Sequence, residues 1–150
     1  MRVPWFGLPM SAASSLTARI METWAHGQDI ADALGVTRVP SAGCATSHIG
    51  VGARASATWP TAWRCPRNPS VSSSPHRGGT LWTWGPDGVP NRVTGTAHDF
   101  CLLVTQRRHR DDTALHVTGP LADQWLSIAQ AFAGPPGGGR TAGQFDGGVS

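Results

Sequence analysis

Acidic side chains are scarce in this sequence: eight aspartates and one glutamate, Glu22, face twelve arginines, while lysine and tyrosine are absent from all 150 residues. Such usage reads as GC-rich coding rather than as a charge pattern built for a partner. A net charge of +3 falls short of the sustained basic face that binding to a nucleic-acid backbone needs. The densest basic run, Arg107, Arg108 and Arg110 around His109, is followed at once by Asp111 and Asp112, so it reads as a solvated helix end and no nucleic-acid partner is expected. Long apolar runs are missing too. No stretch approaches the roughly 18 apolar residues of a membrane span, and the N-terminus lacks the apolar core of a signal peptide, which points to a cytoplasmic protein with no membrane partner. Cys44, Cys65 and Cys101 are odd in number and form no CxxC pair, which speaks against a disulfide framework or a Cys-rich zinc knuckle. Cys101, inside FCLLV, reads as a small buried hydrophobe. HExxH and GxSxG are absent, and no glycine-rich loop joins a strand to a helix.

What is present is organised around helices. MRVPWFGLPM, with its two prolines, suits an ordered loop carrying Trp5 and Phe6. Ser11 is then an N-cap, no proline occurs up to Leu34, and Gly35 stands where a left-handed terminal glycine belongs. At about 100° per residue, Leu16, Ile20, Trp24, Gly27, Ala31 and Leu34 share a sector of about 80° expected to be the core face. Glu22, His26, Asp29 and Ala33 share a second sector of about 60°, flanked by Arg19. From Thr80, TLWTWGPDG reads as a strand entering a turn, Thr96 caps a helix over roughly 97 to 110, TALHVTG fits a short strand, and ADQWLSIAQAF over 122 to 132 is another amphipathic helix. The tail GPPGGGRTAGQFDGGVS, 134 to 150, is expected to be disordered.

Residues 41 to 79 differ from the rest, being rich in Ser, Pro, Ala and Arg, without periodicity, and inside a run with no Asp or Glu from Ala33 to Pro86. In this frame they read as a disordered linker. Read from the third base of each codon, with G or C assumed there, Thr58 to Pro75 becomes LAHGLEVPAEPVRVELT, whose alternating VRVELT would be a natural hairpin partner for the strand after Thr80. The segment is therefore expected to be translated out of frame.

The chemistry concentrates on one helix face. A Glu and a His at i and i+4 lie about 6 Å apart, close enough for a carboxylate oxygen and an imidazole nitrogen to meet at one cation. Zinc takes four neighbours, so Glu22 and His26 need help. Asp29 either joins the set or accepts the other imidazole N–H. A solvated surface pair is the plain alternative, and Trp5 and Trp24 read as core before pocket wall. His98 and Asp99 read as the start of a helix, His109 as solvated and His116 as a strand position; His48 and His76, in the suspect segment, receive no role.

The stretch TARIMETWAHGQDIADALG resembles the ExxxHxxD helix of the mycothiol-dependent maleylpyruvate isomerase and DinB-like superfamily of metal-binding helical bundles. Residues 2 to 39 and 80 to 140, including LWTWGPDGVPNRVTG and DFCLLVTQRRHRDDTAL, are similar to an actinobacterial group in it with a wyosine-base-formation-type domain. The resemblance implies an α+β chain, with the last helix of a DinB-like four-helix bundle in 1 to 40, the linker in 41 to 79, and a partial, sterol-carrier-like α/β domain in 80 to 133. It implies divalent metal binding, zinc above all, at Glu22 and His26. It also implies mycothiol as the thiol cofactor, a small electrophilic substrate, and Arg19 as the cation nearest to hold either. The family's third ligand, a histidine on an earlier helix, has no counterpart, so an N-terminally truncated fragment, inactive alone, is expected. The competing class is a non-catalytic module whose Trp-bearing helices bind a protein, or an unstable fragment. Resequencing the locus across codons 41 to 79 should find two compensating shifts; an unshifted frame refutes the out-of-frame reading.

Overall fold

The computed structural model describes residues 2–3, 10–38, 70–74, 82–84, 90–132 and 137–145, with the backbone alone for 2–3, 10, 70–74 and 82–84. Trp5, Phe6, Cys44, Cys65, His48, His76, most of the suspect segment and the last five residues of the tail lie outside the described residues. Among the described residues the elements are β1 (Arg2–Val3), β2 (Met10–Ser11), α1 (Ala12–Ala33), β3 (Ser70–Ser74), β4 (Trp82–Trp84), β5 (Arg92–Thr96), α2 (Ala97–Val104), β6 (His116–Thr118) and α3 (Pro120–Ile128), with a 3-10 turn at Arg110–Asp112. The chain is thus α+β. β1 and β2 pair antiparallel, and the other strands form a sheet in the order β4-β3-β5-β6. Its central pair, β3 and β5, is parallel with Val71 beside Val93, while β4 and β6 run antiparallel to their neighbours. SVSSS, in this frame, supplies the partner strand for Trp82–Trp84, over the same stretch that VRVELT occupies in the shifted one.

Both ends of α1 follow from the local sequence. The Ser11 hydroxyl accepts the Ser14 N–H at 3.1 Å, satisfying one of the helix's orphan donors. At the other end Gly35 takes φ +64°, and the N–H groups of Gly35 and Val36 return to the carbonyls of Asp32 and Ala31, the double bond of a Schellman turn. α2 opens with a reciprocal cap, the Asp99 N–H donating to Thr96 Oγ1 at 3.0 Å and the Thr96 hydroxyl donating to Asp99 Oδ2 at 2.7 Å. It ends at Val104, six residues before the expected 110. The Thr105 hydroxyl turns back to the Cys101 carbonyl, and Gln106 adopts φ +60°, where the N–H groups of Gln106 and Arg107 close a second Schellman turn on Leu103 and Leu102. α3 begins at Pro120 rather than 122, because Pro suits the first helical position and the Asn91 carboxamide accepts the Leu121 N–H at 3.0 Å.

One cluster of buried side chains joins α1 to the C-terminal part: Met21, Trp24 and Ala25 pack with Val93, Phe100, Cys101, Leu103, Val104, Ala122, Trp125 and Leu126. Phe100 and Trp125 stack with ring centroids 6.1 Å apart, and Trp24 meets His98 edge-on at 5.9 Å. The core face of α1 is therefore not the one expected. Ala18, Met21, Trp24, Ala25, Gln28 and Ala31 are buried, whereas Leu16 and Leu34 stay 63% and 72% exposed. The true face lies about a quarter turn around the cylinder from the expected one. Counting large apolar residues misplaced it, since alanines and a glutamine line the contact. In the tail, Gly137–Phe145 is placed against the body, correcting the expectation of disorder there. Phe100→Ala should lower the unfolding free energy by about 3–5 kcal/mol in urea titration, against less than about 0.5 kcal/mol for Leu16→Ala at low protein concentration. Equal losses would return the core to the face of Leu16.

Candidate metal-binding face and its ion-pair anchor

Glu22, His26 and Asp29 follow one another along α1 and differ in what holds them. Glu22 Oε2 lies 3.8 Å from Arg19 Nη1 on the preceding turn, with both side chains well exposed, a pairing worth little in water. His26 is 73% exposed, and its Nδ1 lies 3.3 Å from Asp29 Oδ2. A neutral imidazole donating Nδ1–H to that carboxylate keeps the Nε2 lone pair free and turned away from it. Asp29 in turn is gripped from the C-terminal part: Arg107 Nε donates to Oδ1 at 3.1 Å and Nη2 to Oδ2 at 2.7 Å, a two-pronged fork. Arg140 Nη2 adds a weaker contact to Oδ1 at 3.4 Å.

The same arrangement repeats one turn on. Arg108 Nη1 and Nη2 donate to the two oxygens of Asp32 at 2.8 and 2.7 Å, and Gln28 Nε2 donates to Oδ1 at 2.8 Å. Two successive arginines thus fork onto two aspartates spaced i, i+3, and the left-handed Gln106 makes this geometry available. Had α2 run on to 110, Arg107 and Arg108 would point about 100° apart around a helix; released from it, both reach α1. Phe145 from the tail lies under the Arg108 guanidinium, 4.0 Å from ring centroid to Cζ, and Arg140 stands 5.5 Å from the same ring. Gly143 N–H donates to Asp112 Oδ1 at 2.8 Å and ties the tail to the 3-10 turn.

These contacts set the titration of both aspartates. The Arg107 hydrogen bonds hold the Asp29 carboxyl below its ordinary 3.8 against the opposing effect of burial, with Arg107's charge, His26 and Arg140 acting in the same sense as the bonds. Burial pushes Asp32 up, but the bonds from Arg108 and Gln28 and the charges of Arg108 and Arg140 together outweigh it and leave the group lowered. The bond to Asp32 likewise raises Arg108.

By sequence alone Arg107 and Arg108 are expected to be a solvated helix end. Instead they anchor the candidate face, and neither Asp32 nor Arg140 was singled out. The available signal was the match of an Arg-Arg pair with the helix's only two aspartates. As a cation site, the face presents two accessible donors, Glu22 and His26, on one side of α1. Among the described residues no group of three or more His, Cys, Asp and Glu is placed to hold a metal ion. Two donors alone fall short of the four neighbours that zinc takes. Among the described residues, too, no helix is long and apolar enough to cross a membrane.

These features define an α+β protein with a helix-borne Glu–His face braced by arginine forks. Residues 1–31 match the mycothiol maleylpyruvate isomerase N-terminal domain, and residues 76–118 match the wyosine base formation family. Over those stretches the resemblance to the mycothiol-dependent isomerase and DinB-like superfamily holds. The chain is also 49% identical over 140 residues to uncharacterized proteins of Mycobacterium tuberculosis strains CDC 1551 / Oshkosh and ATCC 25618 / H37Rv. The matches cover 93% of this chain and 54% of each relative, so the chain spans about half the length of the curated relatives it matches. No solved structure matches it.

A group with a lowered folded pKa stabilises the fold above its unfolded value and loses that contribution as pH falls through the folded one. Stability should therefore drop from about pH 5 downward, and Asp29→Asn with Asp32→Asn should flatten that slope in acid-titrated urea unfolding. An unchanged slope would show that the forks do not carry the pH dependence.

Proposed function

We propose that this chain carries part of a divalent-cation site, zinc by preference, in a relative of mycothiol-dependent isomerases and S-transferases, and that it is not catalytically active alone. The observation that carries the reading is the Arg107–Asp29–His26 relay. A carboxylate held by a half-buried arginine fixes an imidazole whose second nitrogen is free, which is how proteins orient a histidine ligand. On this reading Glu22 and His26 would hold the cation and Asp29 positions His26. Arg19, beside Glu22, is the cation nearest to receive a carboxylate of thiol or substrate. When bound, such a metal lowers the pKa of a coordinated thiol so that it becomes a nucleophile near neutral pH. α1 would be the last helix of a DinB-like bundle, and β3 to α3 part of the small sterol-carrier-like domain beside it.

Two ligands bind a metal less tightly than three, so binding to this chain should be weak. Zinc titration of the full chain by calorimetry at neutral pH should detect it, with Glu22→Ala and His26→Ala abolishing it and Asp29→Asn weakening it about 10–100-fold. Undiminished binding in both of the first two variants overturns the ligand assignment.

The second reading, a non-catalytic interaction module, has one observation in its favour: Leu16, Ile30 and Leu34 are exposed on α1. Trp24 and Trp125 do not serve it, because both are buried in the core.

A further inference from the structure

The tail between Gly137 and Phe145 reaches the candidate face from the far end of the chain. A tight turn shapes it: the Gln144 N–H donates to the Thr141 carbonyl at 3.2 Å, and Gly143 takes φ +73° inside the turn. Arg140 and Phe145 flank this turn and come together, guanidinium to ring centroid, at 5.5 Å; both are half-buried, while the residues between them are exposed. Three contacts hold the segment to the body. Arg140 Nη2 lies 3.4 Å from Asp29 Oδ1, the Phe145 ring centroid lies 4.0 Å from Arg108 Cζ, and the Gly143 N–H donates to Asp112 Oδ1 at 2.8 Å. Behind them Gly138 and Gly139 cross open space, with nothing within 4 Å of where a Cβ would stand.

Charge favours this docking. The body sets three carboxylates, Asp29, Asp32 and Asp112, against two guanidiniums, Arg107 and Arg108, and Arg140 brings the third. The margin is small, because half-exposed polar contacts are set against the ordering of a glycine-rich segment, so a ligand can shift it. Asp29 is where the two sites meet. Its Oδ2 faces His26 Nδ1 at 3.3 Å while its Oδ1 faces Arg140 at 3.4 Å. A carboxylate that partly serves a guanidinium serves the imidazole less, and that guanidinium repels a cation arriving on the imidazole's other nitrogen.

We propose that Gly137–Phe145 is a latch that opposes cation binding at Glu22 and His26. Docked, Arg140 draws on Asp29 and sets its charge beside the site; released, it leaves Asp29 to His26. The latch rests on the cation reading of that face, and Arg140, acting through Asp29, is a positioning residue. Coupling of this kind is reciprocal: the factor by which docking weakens the cation is the factor by which the cation weakens docking. Gly143 offers a way to undo the latch without changing any charge. Proline there removes the N–H bonded to Asp112 and cannot adopt a positive φ.

Zinc titration of the full chain by calorimetry at neutral pH should show binding at least about three-fold tighter in Arg140→Gln and in Gly143→Pro than in the wild type. Trypsin reads docking directly, since the bond after Arg140 is cut only when the guanidinium has left Asp29. Gly143→Pro should be cut there faster than the wild type, and zinc should speed the wild-type cut by about three-fold but leave His26→Ala unaffected. Zinc bound equally tightly by all three chains overturns the latch and leaves the cation site standing. A wild type cut as fast as Gly143→Pro overturns the latch as well. So does tighter zinc in Arg140→Gln alone, which traces the effect to net charge rather than docking. No zinc bound by any of the three overturns the cation reading and the latch together.

Discussion

The arginine forks from Arg107 and Arg108 onto Asp29 and Asp32 are what the rest of the arrangement depends on. Half of the core face of α1 is alanine, Ala18, Ala25 and Ala31 beside Met21, Trp24 and Gln28, and alanines add little area to fix the rotation of a helix about its axis. A two-pronged fork does select it, because both nitrogens must meet both oxygens in one plane. Arg108 and Asp32 are nearly buried, so their attraction is offset by lost hydration, and replacing both with apolar residues of similar shape would change stability little. Their effect lies in orientation. With Asp29 and Asp32 fixed toward the C-terminal part, Met21 and Trp24 face the core and the Glu22–His26 stripe faces away from it.

That geometry has a local cost. Gln106 holds a left-handed conformation that side-chain-bearing residues adopt at about 1–2 kcal/mol. A glycine would adopt it freely, yet any residue that continued the helix would carry Arg107 and Arg108 away from α1. The chain keeps the turn through the two backbone bonds of its Schellman motif and the Thr105 hydroxyl. The tail adds to the same place, since Phe145 covers Arg108 and keeps water from competing for its guanidinium.

Much of this was legible from the residues. Ser11, Gly35 and Thr96 act through bonds to backbone atoms within a few positions, so the starts of α1 and α2 and the end of α1 could be read directly. Cys101 as a buried hydrophobe and TALHVTG as a strand were similarly local readings. The core face of α1 was not, because periodicity weighs a residue by its size, while burial here was decided by partners far along the chain. β5 also escaped notice, because RVTGT shows little alternation and gains its place by lying between β3 and β6. At the candidate face, Glu22, His26 and Asp29 were visible as a stripe. Their anchor was not, since Arg107 and Arg140 are 78 and 111 positions from Asp29.

The sheet has a consequence of its own. Its two outer strands, β4 and β6, have three residues each. A strand that short offers an incoming chain only a rung or two of backbone pairing, too little to template the growth of stacked sheets. Misassembly by sheet extension is thereby disfavoured at both margins, even with the valine-bearing strands β3 and β5 at the centre.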